Sequence, residues 1–173
     1  MLEIYSTKNE NVYKKLDILL ERKLGKSVII KRNENGKPYI DGNPLYFSLS
    51  HSKDKALIVI CDKPVGVDLE GKELKKYEHV LSRFSEPEQK WIDGNPVFFL
   101  LNWVSKEAYI KMTGGTLASD LKRLEFYDNR LFCDKKEIDC FITIDTSSEI
   151  YSVCAEGYSK DSISKVPVNK LLL

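Results

Sequence analysis

The chain has 173 residues, of which 42% are hydrophobic and 31% are charged, a composition that excludes intrinsic disorder and allows one substantial domain or two small ones sharing a core. Its 27 Lys and Arg residues balance 26 Asp and Glu residues, which argues against nucleic acid or an anionic membrane as the main partner. No leader pattern opens the sequence and no apolar run approaches the roughly 20 residues of a membrane span, so we expect a cytoplasmic protein.

In chain order, the first half predicts a strand, a helix and then three strands. The first strand covers residues 2–5, and Thr7 and Glu10 have the spacing of a capping box that would open the helix. Apolar side chains recur on one face of this helix until Gly25, which supplies its end. Three further strands are predicted over residues 27–32, 45–50 and 55–61, with a turn at 33–36 and a hairpin connection at 51–54.

The second half shows a similar order of elements. Residues 65–70 predict a strand and residues 73–84 a helix, and Ser85 with Glu88 forms a second capping box before a short helix. A long helix should start after Asn95 and end at a pair of glycines. The last strands are predicted over residues 123–127, 130–133, 138–145 and 149–156.

The matching order of elements predicts an α+β protein in which two related α/β halves pack together. We place the halves at residues 1–63 and 64–158, followed by a loosely held tail at residues 159–173. The cysteines lie in strand-like segments without CxxC spacing, so we expect buried free thiols and neither zinc ligands nor disulfides. These residues are Cys61, Cys133, Cys140 and Cys154.

The long helix carries a carboxylate within an apolar stripe. Spacings of three and four residues place on one face Leu100, Trp103, Val104 and Glu107. Lys106 borders this stripe, and Lys111 lies one turn below Glu107. An exposed Glu–Lys pair on a surface helix would show the same spacing, but the apolar neighbours favour a buried role for Glu107.

Two carboxylates project from one face of the strand at residues 65–70. Because side chains alternate along a strand, Gly66, Asp68 and Glu70 share a face, with roughly 6.6 Å between the backbones of the two acids. A solvated polar face is one interpretation. Glu107, as a third carboxylate, favours a second interpretation, in which the three acids are oxygen ligands of a Mg²⁺ ion bound to a pyrophosphate. The two helix lysines would then balance the remaining phosphate charge, and Gly66 would leave space for a bulky ligand.

Ser50 and His51 are the third group of candidates. His51 follows a predicted strand, where an imidazole beside hydroxyl groups can hydrogen-bond a phosphate, although a histidine in a turn can equally be structural. His79 is expected to be a surface or packing residue. The sequence contains no nucleophile elbow, P-loop or Rossmann glycine pattern.

Four motifs follow one another along the chain. They are Gly36-Lys37-Pro38, Phe47-x-Leu49-Ser50-His51-Ser52, Val65-Gly66-Val67-Asp68-Leu69-Glu70 and Trp103-x-x-Lys106-Glu107-Ala108-Tyr109-x-Lys111. In this order and at these intervals they resemble the 4′-phosphopantetheinyl transferases of the Sfp type, the larger enzymes that activate nonribosomal peptide, polyketide and fatty-acid carrier proteins. The resemblance spans residues 17–156 and implies a pseudo-dimeric fold, two α/β halves with the active site in the cleft between them.

The resemblance also implies a set of site residues. They are Asp68, Glu70 and Glu107 as ligands of Mg²⁺, with Mn²⁺ as an alternative; Lys106 and Lys111 as contacts of coenzyme A phosphates, Lys111 nearest the pyrophosphate; Ser50 and His51 at the phosphoadenosine end; and Lys37 near the adenine and its 3′-phosphate. Ser48 stands where the family usually has Asn. The basic segment that usually precedes the first long helix has no clear counterpart, and Lys14, Lys15 and Arg22 are candidates to replace it.

The implied reaction is Mg²⁺-dependent transfer of the phosphopantetheine arm of coenzyme A to a serine of an apo acyl, peptidyl or aryl carrier protein, with release of 3′,5′-ADP. Glu107 is the best candidate to accept the serine proton, directly or through water, beside Lys111. The alternatives are a non-catalytic module that binds coenzyme A or a carrier protein and a Mg²⁺-dependent pyrophosphate hydrolase. We expect a monomer, with the carrier protein docking near residues 73–91.

Overall fold

The computed structural model describes residues 1–42, 45–73 and 77–172, and it has the mixed α+β architecture that the sequence predicts. Its first elements are β1 (Leu2–Lys8), α1 (Val12–Leu24), β2 (Ile30–Arg32), β3 (Pro38–Ile40), β4 (Tyr46–Ser52) and β5 (Lys55–Cys61). Next come β6 (Val65–Gly71), α2 (Glu78–Leu81), α3 (Glu86–Ile92), α4 (Pro96–Thr113), α5 (Leu117–Asp120) and a 3₁₀ turn (Leu121–Arg123). The last are β7 (Leu124–Tyr127), β8 (Arg130–Cys133), β9 (Lys136–Ile138), β10 (Phe141–Asp145), β11 (Glu149–Ala155), α6 (Lys160–Ser164) and β12 (Val168–Lys170).

Two larger sheets form the centre of the fold. The first has the strand order β12-β1-β5-β4 and the second the order β10-β11-β6, while β2-β3 and β7-β8-β9 form smaller sheets. Strand β5 is buried on both faces, because Ile58 and Ile60 pack beneath α1 whereas Leu57 and Val59 pack with side chains of β6 and β11. This strand therefore contributes to both apolar layers.

Strands β4 and β6 contact each other through serine side chains. Alternate serines of β4 accept hydrogen bonds from backbone N–H groups of β6: Ser48 from Val67 at 3.0 Å, Ser50 from Leu69 at 3.2 Å and Ser52 from Gly71 at 3.0 Å. We call this arrangement the serine ladder. It links the edges of the two larger sheets and fixes the position of β6, which carries two of the predicted metal ligands, relative to β4.

Helix α4 is the long helix that the sequence predicts. Asn95 caps its start by accepting a hydrogen bond from a first-turn N–H at 2.9 Å, and Gly114 ends it in the left-handed region with a φ of 75°. Leu100 and Val104 pack against Ile150 of β11, as expected for the apolar stripe. The helix also buries residues on its other sides, so it is more central than a helix with one apolar face.

Gly66 lets α4 lie directly against β6. A Cβ atom at this position would lie 2.0 Å from the carbonyl oxygen of Ala108 and 2.5 Å from the backbone nitrogen of Met112, so any larger residue would displace the helix. The expectation that Gly66 leaves space for a bulky ligand is wrong, because the backbone of α4 occupies that space.

The two predicted capping boxes have different outcomes. Strand β1 continues to Lys8, and α1 begins after a left-handed Asn11 without a side-chain cap, so the box at Thr7 and Glu10 is wrong. At Ser85, which opens α3, the Glu88 carboxylate accepts the Ser85 backbone N–H at 2.9 Å, whereas the Ser85 hydroxyl is buried without a hydrogen-bond partner, so only the Glu88 half of the predicted box is confirmed.

The tail is more ordered than predicted, because α6 buries Ile163 and β12 pairs in parallel with β1. The helix predicted over residues 73–84 includes residues 74–76, which lie outside the described residues, and its described part contains only α2. The strand predicted over residues 138–145 divides into β9 and β10. The boundaries of the two halves and their pseudo-dimeric relation stay predictions.

The four cysteines are free thiols; Cys61 and Cys154 are buried as expected, whereas Cys133 and Cys140 are only partly buried. Within the part of the chain that the structure describes, no helix is both long and apolar enough to cross a membrane.

Candidate active site

Asp68 lies where β6 faces α4. Only 5% of its surface is exposed, and its Oδ1 accepts hydrogen bonds from the Ser50 hydroxyl at 2.9 Å and from the Lys111 ammonium at 2.6 Å. Its other oxygen, Oδ2, is buried without a hydrogen-bond partner. A buried carboxylate oxygen without a partner is costly, so this atom indicates a missing cation or donor.

Glu70 and Glu107 complete an acidic cluster, which we define as Asp68, Glu70 and Glu107. Burial, together with the smaller effects of the charges of Asp68 and Glu70 and against the opposing charge of Lys111, raises the pKa of Glu107 to about 7. Burial also raises the pKa of Glu70, with the same sign from Asp68 and the opposite sign from Lys111. The strand and the helix therefore bring the three acids and Lys111 into one electrostatic group, as the sequence predicts.

The donors of the acidic cluster fit a hard divalent cation. Carboxylate oxygens are the ligands that Mg²⁺ prefers, and a cation would relieve both the repulsion among the acids and the unpartnered Oδ2 of Asp68. Among the described residues, no three Asp, Glu, His or Cys side chains are already gathered as a ligand set. The fit therefore rests on the chemistry of the donors, and Lys111 supplies a positive charge 2.6 Å from Asp68.

A cleft of about 460 Å³ opens beside the cluster, between α1, the β2–β3 hairpin, β4 and the end of α4. Glu107 and Lys111 line it on one side and Lys37 on another. The Lys37 ammonium donates a hydrogen bond to the carbonyl of Met112 at 2.8 Å, near the C-terminal end of α4, and burial lowers its pKa to about 8. The cleft thus combines cationic and acidic groups on an otherwise largely apolar wall.

Ser50 and His51 face opposite sides of β4, because the strand continues through both residues and does not turn at His51. Ser50 is 7% exposed and contacts Asp68. His51 is exposed, and its Nδ1 lies 3.4 Å from the Asn9 side-chain nitrogen. The structure therefore brings Ser50 to the acidic cluster but does not bring His51 there.

The sequence of this region matches a known family. A family model described as "4'-phosphopantetheinyl transferase superfamily" matches residues 64–154. The chain belongs to this superfamily. The matched segment contains the acidic cluster and Lys111, whereas Lys37, Ser50 and His51 precede it.

Curated relatives carry the corresponding name over part of their length. The chain is 32% identical over 94 residues to "4'-phosphopantetheinyl transferase gsp" of Aneurinibacillus migulanus, covering 51% of this chain and 39% of that protein. It is 35% identical over 95 residues to "4'-phosphopantetheinyl transferase psf-1" of Bacillus pumilus, covering 50% and 40%. It is 32% identical over 108 residues to "4'-phosphopantetheinyl transferase AcpT" of Salmonella typhi, covering 57% and 56%. The chain therefore spans about two fifths of the length of the first two relatives.

Lys106 is the predicted phosphate contact that the structure places elsewhere. It is 1% exposed, and its Nζ lies 2.5 Å from Oε1 of Glu88, which is equally buried, and 4.1 Å from the centre of the Phe84 ring. The same Glu88 oxygen accepts hydrogen bonds from Asn102 and from the Phe126 backbone, each at 2.8 Å. Lys106 therefore joins α4 to α3 and β7 in this superfamily member and does not reach the cleft.

Arg32 is a cationic residue of the cleft that sequence reasoning missed. It lines the cleft at the end of β2, and its guanidinium donates a hydrogen bond to the Gly36 carbonyl at 2.8 Å. Its position directly before the predicted turn, and so opposite Pro38 and next to Lys37 in a hairpin, was the available signal. Of the suggested substitutes for the basic segment, Lys15 donates to the Lys8 carbonyl at 3.1 Å.

Proposed function

We propose that this chain transfers the 4′-phosphopantetheine group of coenzyme A to a serine hydroxyl of an acyl, peptidyl or aryl carrier protein. The serine oxygen forms a bond to the phosphorus of the phosphopantetheine arm, the bond from that phosphorus to the bridging oxygen breaks, and 3′,5′-ADP leaves. The observation that carries the proposal is the acidic cluster with Lys111 at the edge of the cleft, inside the segment that matches the superfamily.

The cleft and the acidic cluster beside it offer groups for the charged parts of a coenzyme A molecule. Asp68, Glu70 and Glu107 would hold Mg²⁺ or Mn²⁺, and a bound ion supplies charge stabilisation at the pyrophosphate. Lys111 borders both the cluster and the cleft, so it neutralises pyrophosphate charge. Lys37, together with Arg32, provides positive charge for the 3′-phosphate near the adenine.

The serine proton needs an acceptor when the new bond forms. Glu107 lines the cleft at the boundary between the acidic cluster and open space, a position from which it takes the proton directly or through a water molecule. His51 shares a face of β4 with Phe47 and Leu49, which line the cleft, so it stays a proposed contact for the phosphoadenosine end and not a proton acceptor.

The test is incubation with coenzyme A, Mg²⁺ and a panel of apo acyl, peptidyl and aryl carrier proteins, followed by mass spectrometry of the carriers. We expect a mass gain of one phosphopantetheine group on at least one carrier. No gain on any carrier, together with measurable binding of coenzyme A, would indicate a non-catalytic binding module. The cytoplasmic location, the monomeric state and the carrier surface near residues 73–91 stay predictions.

A further inference from the structure

Two of the four free cysteines lie side by side where β10 begins. Cys154 of β11 pairs with Phe141, the first residue of β10. The residue before Phe141 is Cys140, and its carbonyl accepts the Ala155 N–H at 2.9 Å. Both cysteine side chains pack in one apolar cluster with residues of α4, and the Cys154 thiol donates a hydrogen bond to the Cys140 sulfur. The two sulfur atoms are therefore in contact without a covalent bond.

The two thiols differ in the way that a stepwise oxidation requires. Cys140 is partly exposed, whereas Cys154 is fully buried. The hydrogen bond from Cys154 lowers the pKa of the Cys140 thiol, against the opposing effect of burial, while burial raises the pKa of Cys154. Because the thiolate is the nucleophilic form of cysteine, Cys140 is the thiol that meets an oxidant from solvent, and Cys154 is in place to react with the product.

The charges around Cys140 favour a neutral oxidant. Asp139 and Glu156 lie close enough for their negative charges to raise its pKa. An anionic disulfide such as oxidised glutathione meets repulsion at this position. Hydrogen peroxide carries no charge, and it is small enough to reach a partly buried sulfur. The chemistry of the site therefore fits a small neutral peroxide.

The cysteine pair also lies at the contact between α4 and β6. Cys154 pairs with Gly66 of β6 and packs with Ala108 and Met112 of α4, whose backbones occupy the space above Gly66. A sulfur–sulfur bond of about 2.05 Å is shorter than any nonbonded contact between two sulfur atoms, so its formation draws Cys154 toward Cys140. Oxidation at this pair acts on the two elements that carry the acidic cluster.

We propose that Cys140 and Cys154 form a site of reversible oxidation by a neutral peroxide, in which Cys140 reacts first and Cys154 closes a disulfide. The Cys140 thiolate bonds to one peroxide oxygen, the oxygen–oxygen bond breaks, and the other oxygen leaves as water after taking up a proton. The Cys154 sulfur then bonds to the Cys140 sulfur, and the sulfenic hydroxyl leaves as a second water with the Cys154 proton. Two thiols are thereby oxidised to one disulfide, and one hydrogen peroxide is reduced to two waters.

The test is treatment of the purified, reduced chain with hydrogen peroxide, followed by measurement of the intact mass and by peptide mapping without reductant. A protease that cuts after glutamate separates the two cysteines at Glu149, which gives peptides 138–149 and 150–156. We expect the chain to lose the mass of two hydrogen atoms and these two peptides to be joined by a disulfide. Dithiothreitol should restore the original mass.

Single substitutions separate the roles of the two thiols. Cys140→Ser should abolish the joined peptides, and thermal unfolding would establish that this variant is folded. Cys154→Ala should leave Cys140 as a sulfenic acid, which a dimedone probe labels. Cys133→Ser is the matched control, because Cys133 is also partly buried and accepts a hydrogen bond from Tyr109 beside the pair. It should form the disulfide within about twofold of the rate of the unchanged chain.

Three results would overturn the inference: oxidation of Cys133 before Cys140, oxidation of Cys140 to sulfinic acid without a bond to Cys154, and an unchanged mass at peroxide concentrations that oxidise free glutathione. A faster reaction with oxidised glutathione than with hydrogen peroxide at equal concentration would overturn the choice of oxidant. Every readout is made without coenzyme A and without a carrier protein, so the inference and the proposed function fail separately.

Discussion

At the scale of single residues, the central pair is Asp68 and Lys111, joined at 2.6 Å across β6 and α4. The alternation of side chains in β6 and the helical spacing of α4 were sufficient to select both residues from the sequence, but their pairing depends on the contact between the two elements. The same periodicity separates Ser50 from His51, because neighbouring strand residues face opposite sides. Ser50 contacts the acidic cluster, whereas His51 shares the face of the cleft-lining Phe47 and Leu49, and the contact of both with the phosphoadenosine end stays a prediction.

Replacing Asp68 with Asn tests the acidic cluster with little change in shape. The amide removes one negative charge and one strong metal donor, so we expect kcat for carrier modification to fall more than about 100-fold. Thermal unfolding by circular dichroism would establish that the variant remains folded. A rate within a few-fold of the unchanged chain would contradict the role of Asp68.

Lys37 predicts a specific dependence of coenzyme A binding on pH. Burial lowers its pKa to about 8, so raising the pH through 8 neutralises the ammonium and should weaken binding of the 3′-phosphate by up to about tenfold per pH unit. Titration calorimetry at several pH values would measure this. Lys37→Arg, which stays charged, should show a flatter profile, and an unchanged profile would contradict the assignment.

At the scale of elements, α4 shows where sequence reasoning succeeds and where it stops. Its start at Asn95 and its end at Gly114 follow from local chemistry. The burial of Lys106 does not follow from local chemistry, because it depends on Glu88 from α3. An amphipathic pattern also cannot show that a helix is buried on several sides. The close contact at Gly66 likewise depends on the backbone of another element.

The pair of Lys106 and Glu88 should stabilise the packing of α4. Lys106→Met leaves the Glu88 carboxylate buried and unpaired, so we expect a loss of about 3–5 kcal/mol in the free energy of unfolding, measured with urea. Adding Glu88→Gln removes the remaining charge and should recover at least half of that loss. A Lys106→Met variant with unchanged stability and a raised KM for coenzyme A would show that Lys106 contacts phosphate instead.

At the scale of the whole molecule, the two larger sheets meet along the serine ladder, and this junction brings the acidic cluster to the edge of the cleft. The order of elements predicted the α+β class. It did not predict that β12 pairs with β1, a contact between opposite ends of the chain, since strand pairing over such a separation leaves no local pattern. Nor did it predict the serine ladder, which needs β4 and β6 to lie side by side.

The proposed transfer is tested most directly by measuring 3′,5′-ADP release and carrier mass gain in the same reaction. Coenzyme A, Mg²⁺ and the chain are incubated with and without an apo carrier protein, and both products are quantified by mass spectrometry. We predict one 3′,5′-ADP for each phosphopantetheine group attached, and no release without the carrier. Release of 3′,5′-ADP at the same rate without a carrier, with no carrier modified, would instead identify a pyrophosphate hydrolase and contradict the proposed function.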